Sequence, residues 1–174
     1  MSPRWIRQLS FPLIMQLTKL FNSADLLVNF LPGDKWDAIS QMLDHLCEND
    51  RIPAEAADAA REAVLAREQS MSTGMEHGIA IPHGAVDGIE EIAACMGIIG
   101  GDEGLPFDSI DGGLTRLVVV LVIPRDQKLL HIRTLADVAR GLAKESVRAA
   151  LEGATSPGEA WEILARNEAG AELA

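Results

Sequence analysis

A chain of 174 residues with 48% hydrophobic and 24% charged residues has the makeup of one globular domain with a real core, not of a disordered segment. A formal net charge of −11 argues against a nucleic-acid partner, whose phosphates call for a Lys/Arg surface, and against docking on anionic membranes. No apolar run approaches the about 20 residues of a membrane span, and Arg4 and Arg7 ahead of residues 11–15 do not make a secretory leader, because Pro12 breaks a brief run that lacks a small-residue cleavage site.

A cytoplasmic protein without membrane insertion is therefore expected. Residues 1–14 read as an N-terminal extension and 15–174 as the domain. Leu26-Leu27-Val28-Asn29-Phe30 is a short apolar strand, closed by the turn signal Leu31-Pro32-Gly33. Asp34 can cap a helix on which Trp36, Ile39, Met42, Leu43 and Leu46 recur at helical spacing. Pro53 opens a second helix, running to about residues 67–69. After the loop marked by Ser72-Thr73-Gly74 and Gly78, Ile79-Ala80-Ile81 is a buried strand ended by Pro82. Residues 92–99 form another strand, followed by turns over 100–113. Residues 117–123 are apolar throughout, as in a central strand covered on both faces. A helix follows with Ile132, Leu135, Ala136, Ala139 and Leu142 on one face. Ser156-Pro157-Gly158-Glu159 is a capping box with Pro at the first helical position, starting a last helix with Trp161 and Leu164. Helices alternating with buried strands predict a single-domain α/β fold, a mixed β-sheet flanked by helices on its faces.

Cys47 and Cys95 are far apart inside apolar patterns, and read as free thiols. Gly100-Gly101-Asp102-Glu103-Gly104 lacks the Lys-Ser/Thr of a phosphate-binding loop and reads as a turn. Four histidines remain: His45, within the first amphipathic helix, and His77, His83 and His131. His83 follows Pro82, whose ring fixes its own φ, and precedes Gly84, small enough to admit the backbone of another molecule. That is a firm mount for an imidazole offered to a partner, although on pattern alone a histidine satisfied within the fold is the simpler reading. By the same standard His131 and Arg67 read as solvated residues near helix ends, and His77 as a loop residue. A three-histidine metal site lacks a carboxylate partner at metal-like spacing.

Residues 72–84, Ser-Thr-Gly-Met-Glu-His-Gly-Ile-Ala-Ile-Pro-His-Gly, resemble the active-site signature of the type 2 enzyme IIA of the phosphotransferase system, the class of fructose, mannitol and nitrogen-regulatory members. The resemblance continues through Leu105-Pro106-Phe107-Asp108, the apolar strand at 117–123 and Leu130-His131-Ile132-Arg133-Thr134-Leu135, and covers the chain from about residue 15 onward. It implies the mannitol-type enzyme IIA fold and a phosphotransferase that carries a phosphoryl group on His83, with His131 as the second catalytic histidine. It further implies Arg67 as a phosphoryl-stabilising cation. His77 stands where the family usually has Asn or an acidic residue, and is assigned the same stabilising role. The implied donor is a histidine phosphocarrier protein (HPr or its nitrogen-type paralogue). The implied acceptor is an enzyme IIB domain on another chain, or else a regulated target protein whose binding follows the phosphorylation state. No metal and no cofactor is implied. Pro82-His83-Gly84 resembles the mannitol type, whereas Ser72-Thr73-Gly74 points to the fructose and nitrogen-regulatory types.

Overall fold

The strand β5, Leu117–Pro124, is buried along its whole length, because strands flank it on both sides and helices cover both faces. The computed structural model describes residues 16–170, so the extension expected over residues 1–14 lies outside the described residues. On one side β5 pairs antiparallel with β4, Ala93–Ile99, and β4 pairs parallel with β1, Leu26–Phe30. On the other side it pairs parallel with two short pieces, β2, Ile79–Ala80, and β3, His83–Val86. The sheet is mixed, as expected.

Alternation along β5 divides the interior. Leu117, Val119, Leu121 and Ile123 belong to one hydrophobic cluster and Val118, Val120 and Val122 to the other, since successive side chains of a strand point to opposite faces. The first cluster is roofed by α1, Leu17–Leu20, α4, Lys128–Gly141, α5, Glu145–Glu152, and α6, Pro157–Glu168. The second is roofed by α2, Lys35–Glu48, and α3, Ala57–Ser70. Asp34 caps α2 by accepting from the backbone N–H groups of Trp36 and Asp37. Pro53 precedes a 3-10 turn, Ala54–Ala56, from which α3 continues. Ser156 caps α6 with Pro157 at its start, but Glu159 reaches back to the N–H and hydroxyl of Thr155 instead of closing a reciprocal box.

Two expectations change in ways that matter for the site. The strand read as ending at Pro82 resumes at His83 in the same register: Ile79 pairs with Leu117 and His83 with Leu121. Pro82 interrupts the ladder because it has no N–H to donate, yet its carbonyl still accepts from the Leu121 N–H at 3.0 Å. Gly84, read as room for a partner's backbone, is buried against the protein's own helix. A Cβ there would lie 2.9 Å from the Val64 nitrogen and 3.0 Å from the Ala63 carbonyl carbon, so the missing side chain lets α3 settle on β3.

Candidate functional site

His83 opens β3 at the edge of the sheet and is half-buried. Its Nδ1 lies 2.8 Å from the carbonyl oxygen of Ile81. A carbonyl can only accept, so Nδ1 carries the proton and the lone pair sits on Nε2. Burial pushes the His83 pKa below its ordinary value; the Ile81 carbonyl opposes this, Arg67 and His131 reinforce it, and Glu68 opposes it. A neutral imidazole with a defined tautomer follows.

α3 and α4 approach this ring from opposite faces of the sheet. Arg67, in the last turn of α3, shares an open groove of about 580 Å³ with His83 and donates through Nη1 to the Met71 carbonyl at 2.6 Å. That bond holds the guanidinium near the loop. His131, in the first turn of α4, brings its ring centroid to 5.2 Å from that of His83 with the planes at 75°. The rings meet edge to face, and among the described residues no direct hydrogen bond joins them.

Three of the four site residues read from the sequence are thus brought together. His77 is not. Its side chain is 63% exposed, its Nε2 lies 3.9 Å from Glu76 Oε2, and it does not line the groove. The backbone explains the difference: His77 and Gly78 have φ of 65° and 73°, a left-handed turn. The His77 N–H donates to Asp111 Oδ2 at 3.0 Å, which fastens the turn. This geometry gives no support to the stabilising role expected of His77.

Other residues take part that the sequence reading did not single out. Glu68 is buried beside Arg67; it accepts from the Thr73 N–H at 2.9 Å and from the Thr73 hydroxyl. Asp108 lines the groove with a left-handed φ of 49°. Gly74 lets the two loops touch, since a Cβ there would stand 2.7 Å from the Phe107 carbonyl oxygen. The apolar stripe read on one face of α4 also splits: Leu135, Ala136 and Ala139 line the groove, Leu142 is buried and Ile132 is exposed. Among the described residues no cluster of three or more His, Cys, Asp or Glu could hold a metal ion, and no helix is long and apolar enough to cross a membrane.

Comparison with known proteins bears on the family and the fold. The "Nitrogen regulatory protein" of Klebsiella oxytoca is 38% identical over 104 residues, 59% of this chain, and the match spans less than two thirds of that protein, 63%. The "PTS system fructose-specific EIIA component" of Haloferax volcanii is 31% identical over 134 residues, covering 77% of this chain and 84% of the relative. Among solved structures, nitrogen regulatory protein IIA-Ntr from Neisseria meningitidis superposes with a TM-score of 0.73 at 23% identity, over 86% of this chain and 99% of that one. The enzyme IIAMTL of Escherichia coli, solved in complex with phosphorylated enzyme IIBMTL, gives 0.69 at 24% identity over 83% and 96%. At these identities the structures speak for the fold. Residues 12–167 match the family described as phosphoenolpyruvate-dependent sugar phosphotransferase system, EIIA 2, and the chain belongs to that family of phosphotransfer proteins.

Proposed function

We propose that the protein is a phosphoryl carrier that takes the group on Nε2 of His83 and passes it on. The observation that carries this reading is the Nδ1 contact with the Ile81 carbonyl, which leaves a neutral Nε2 beside Arg67 and His131. The donor is a phosphohistidine of a histidine phosphocarrier protein (HPr or its nitrogen-type paralogue). As the new P–Nε2 bond forms, the donor's P–N bond breaks and its electron pair stays on the donor imidazole. The Nδ1 proton stays with His83, held by Ile81. The transition state is loose, with charge spread over the phosphoryl oxygens, so positioning and cations supply most of the catalysis. Arg67 and an N–H of His131 meet that charge in this reading. The phosphorylated His83 then gives the group to an enzyme IIB domain.

A second reading shares the chemistry and differs in the outcome: phosphorylation of His83 switches binding to a regulated target protein. It is favoured by relatives at 36–38% identity that bear the name nitrogen regulatory protein.

The test is incubation with phosphoenolpyruvate and the general phosphotransferase proteins, followed by mass spectrometry at neutral and acid pH. An acid-labile gain of one phosphoryl group, lost in a folded His83→Ala variant, is the expected result. Phosphate retained in that variant would refute the assignment. Adding candidate IIB domains to the charged protein separates the readings, because only the carrier for transport discharges onto one.

A further inference from the structure

Lys35 is the first residue of α2, and its side chain is only 13% exposed. Its Nζ lies 3.2 Å from Glu68 Oε1 and 3.1 Å from Asp108 Oδ2. It also stands 5.8 Å from the centroid of the buried Phe107 ring. Burial is the largest influence and opposes its charge, but the hydrogen bonds and charge attraction of Asp108 and Glu68 together outweigh that and hold the ammonium above its ordinary pKa. Glu68 directly follows Arg67 on α3, its side chain is fully buried, and its second oxygen holds Thr73. Asp108 lines the same groove as His83 and Arg67. One cation thus joins the start of α2, the end of α3 and the loop that forms the groove rim.

An exposed ion pair of this kind would contribute little. Here one partner is buried, and stripping the cation from a buried carboxylate leaves a charge that water cannot reach. We propose that Lys35 is a positioning residue for the His83 site: it locks the end of α3 that carries Arg67 to the Asp108 rim, and its positive charge offsets part of the charge of two carboxylates that would otherwise repel an incoming phosphoryl group more strongly. This rests on the phosphocarrier reading.

The electrostatic consequence has a definite sign. His83 is faced by Arg67 and Glu68 from α3 and by His131 from α4, with Asp108 on the rim and Lys35 behind it. Glu68 favours the imidazolium form of His83, and Arg67 and His131 disfavour it. Without Lys35 the Glu68 and Asp108 charges stand uncompensated, so imidazolium gains and a phosphoryl dianion is repelled. A role in packing alone would produce neither effect.

The experiment compares the full chain with Lys35→Gln, Lys35→Arg and the pair Lys35→Gln/Glu68→Gln. The His83 imidazole is titrated by NMR, and phosphoryl acceptance from phosphoenolpyruvate and the general phosphotransferase proteins is followed against pH. Lys35→Gln should move the His83 titration and the acidic limb of acceptance to higher pH, and lower kcat by between about ten- and a hundredfold. Lys35→Arg should restore all three. The pair should return the titration toward that of the unmodified chain while kcat stays low, because Arg67 is no longer held. A folded Lys35→Gln with unmoved titration and acidic limb overturns the proposal, as does failure of Lys35→Arg to restore them. Should Lys35→Gln fail to fold, the pair, which buries no unmatched charge, decides by its kcat: a fall supports the proposal and an unchanged value ends it. If the unmodified chain accepts no phosphate, the carrier reading falls, while the His83 titration still decides the influence of Lys35.

Discussion

Burial is the main cause of the lowered His83 pKa, and the Ile81 carbonyl, Arg67, His131 and Glu68 modify it. The lowering ties stability to pH. Above the ordinary imidazole value of 6.5 the ring is neutral folded or unfolded, and contributes no pH dependence. As pH falls through that value the unfolded chain takes up the proton first, so the folded state loses stability until pH drops below the folded pKa. A His83→Ala variant lacks this loss. Urea midpoints measured between the two pKa values should therefore fall less with acid in the variant than in the unmodified chain. For His77 the expectation is the opposite of involvement. Its ring lies mainly in solvent and its backbone is left-handed, a conformation Asn also tolerates. His77→Asn should shift stability by no more than about 0.5 kcal/mol and leave the pH profile of phosphoryl acceptance unchanged. A flattened profile would restore His77 to the site. His83, Arg67 and His131 were singled out through the family resemblance, since local pattern alone reads His83 as satisfied within the fold and the other two as solvated residues near helix ends. Lys35 was illegible. It is 33 and 73 residues from its two partners and reads as one more polar position on an amphipathic helix.

At the level of elements, the apolar stripe of α4 was found from its spacing but not its destination. Periodicity reports that residues share a face, and cannot tell a face that meets the core from one that borders a groove. The gap at Ile81-Pro82 was legible as a break because proline lacks the N–H. The resumption at His83 was not, since it depends on register with β5. Gly84 is where element packing and site geometry meet. Gly84→Ala would force the new methyl against helix backbone at Ala63 and Val64, which cannot turn aside as a side chain can. A loss of about 1–3 kcal/mol in unfolding free energy is expected, read from denaturant titration. Because Arg67 rides on the same helix, slower phosphoryl acceptance should accompany it even where the fold persists. Normal kinetics in a destabilised Gly84→Ala would show that α3 can shift without disturbing the site.

Taken whole, the molecule is acidic, with a formal net charge of −11, yet exposed Met71, Ile110, Leu129 and Ile132 lie on the loops and helix that form the groove. Apolar side chains left exposed together mark a surface that is covered in a complex. Ile132→Asp should raise KM for the phosphorylated donor while kcat at saturating donor is largely kept, and unchanged KM would exclude this part of α4 from docking. Most of the sheet was readable because β1, β4 and β5 announce themselves by apolar composition, whereas β3 does not. Yet the sequence could not show that the candidate site straddles the two cores, with Arg67 on a helix roofing one and His131 on a helix roofing the other. If the proposed carrier reading holds, that division makes phosphoryl acceptance a gauge of whether both helical layers are seated on the sheet at once. In mild denaturant, acceptance should decline at a lower concentration than far-ultraviolet helical signal if either layer loosens first. Superimposable curves would mean that the two layers leave the sheet as a single cooperative unit.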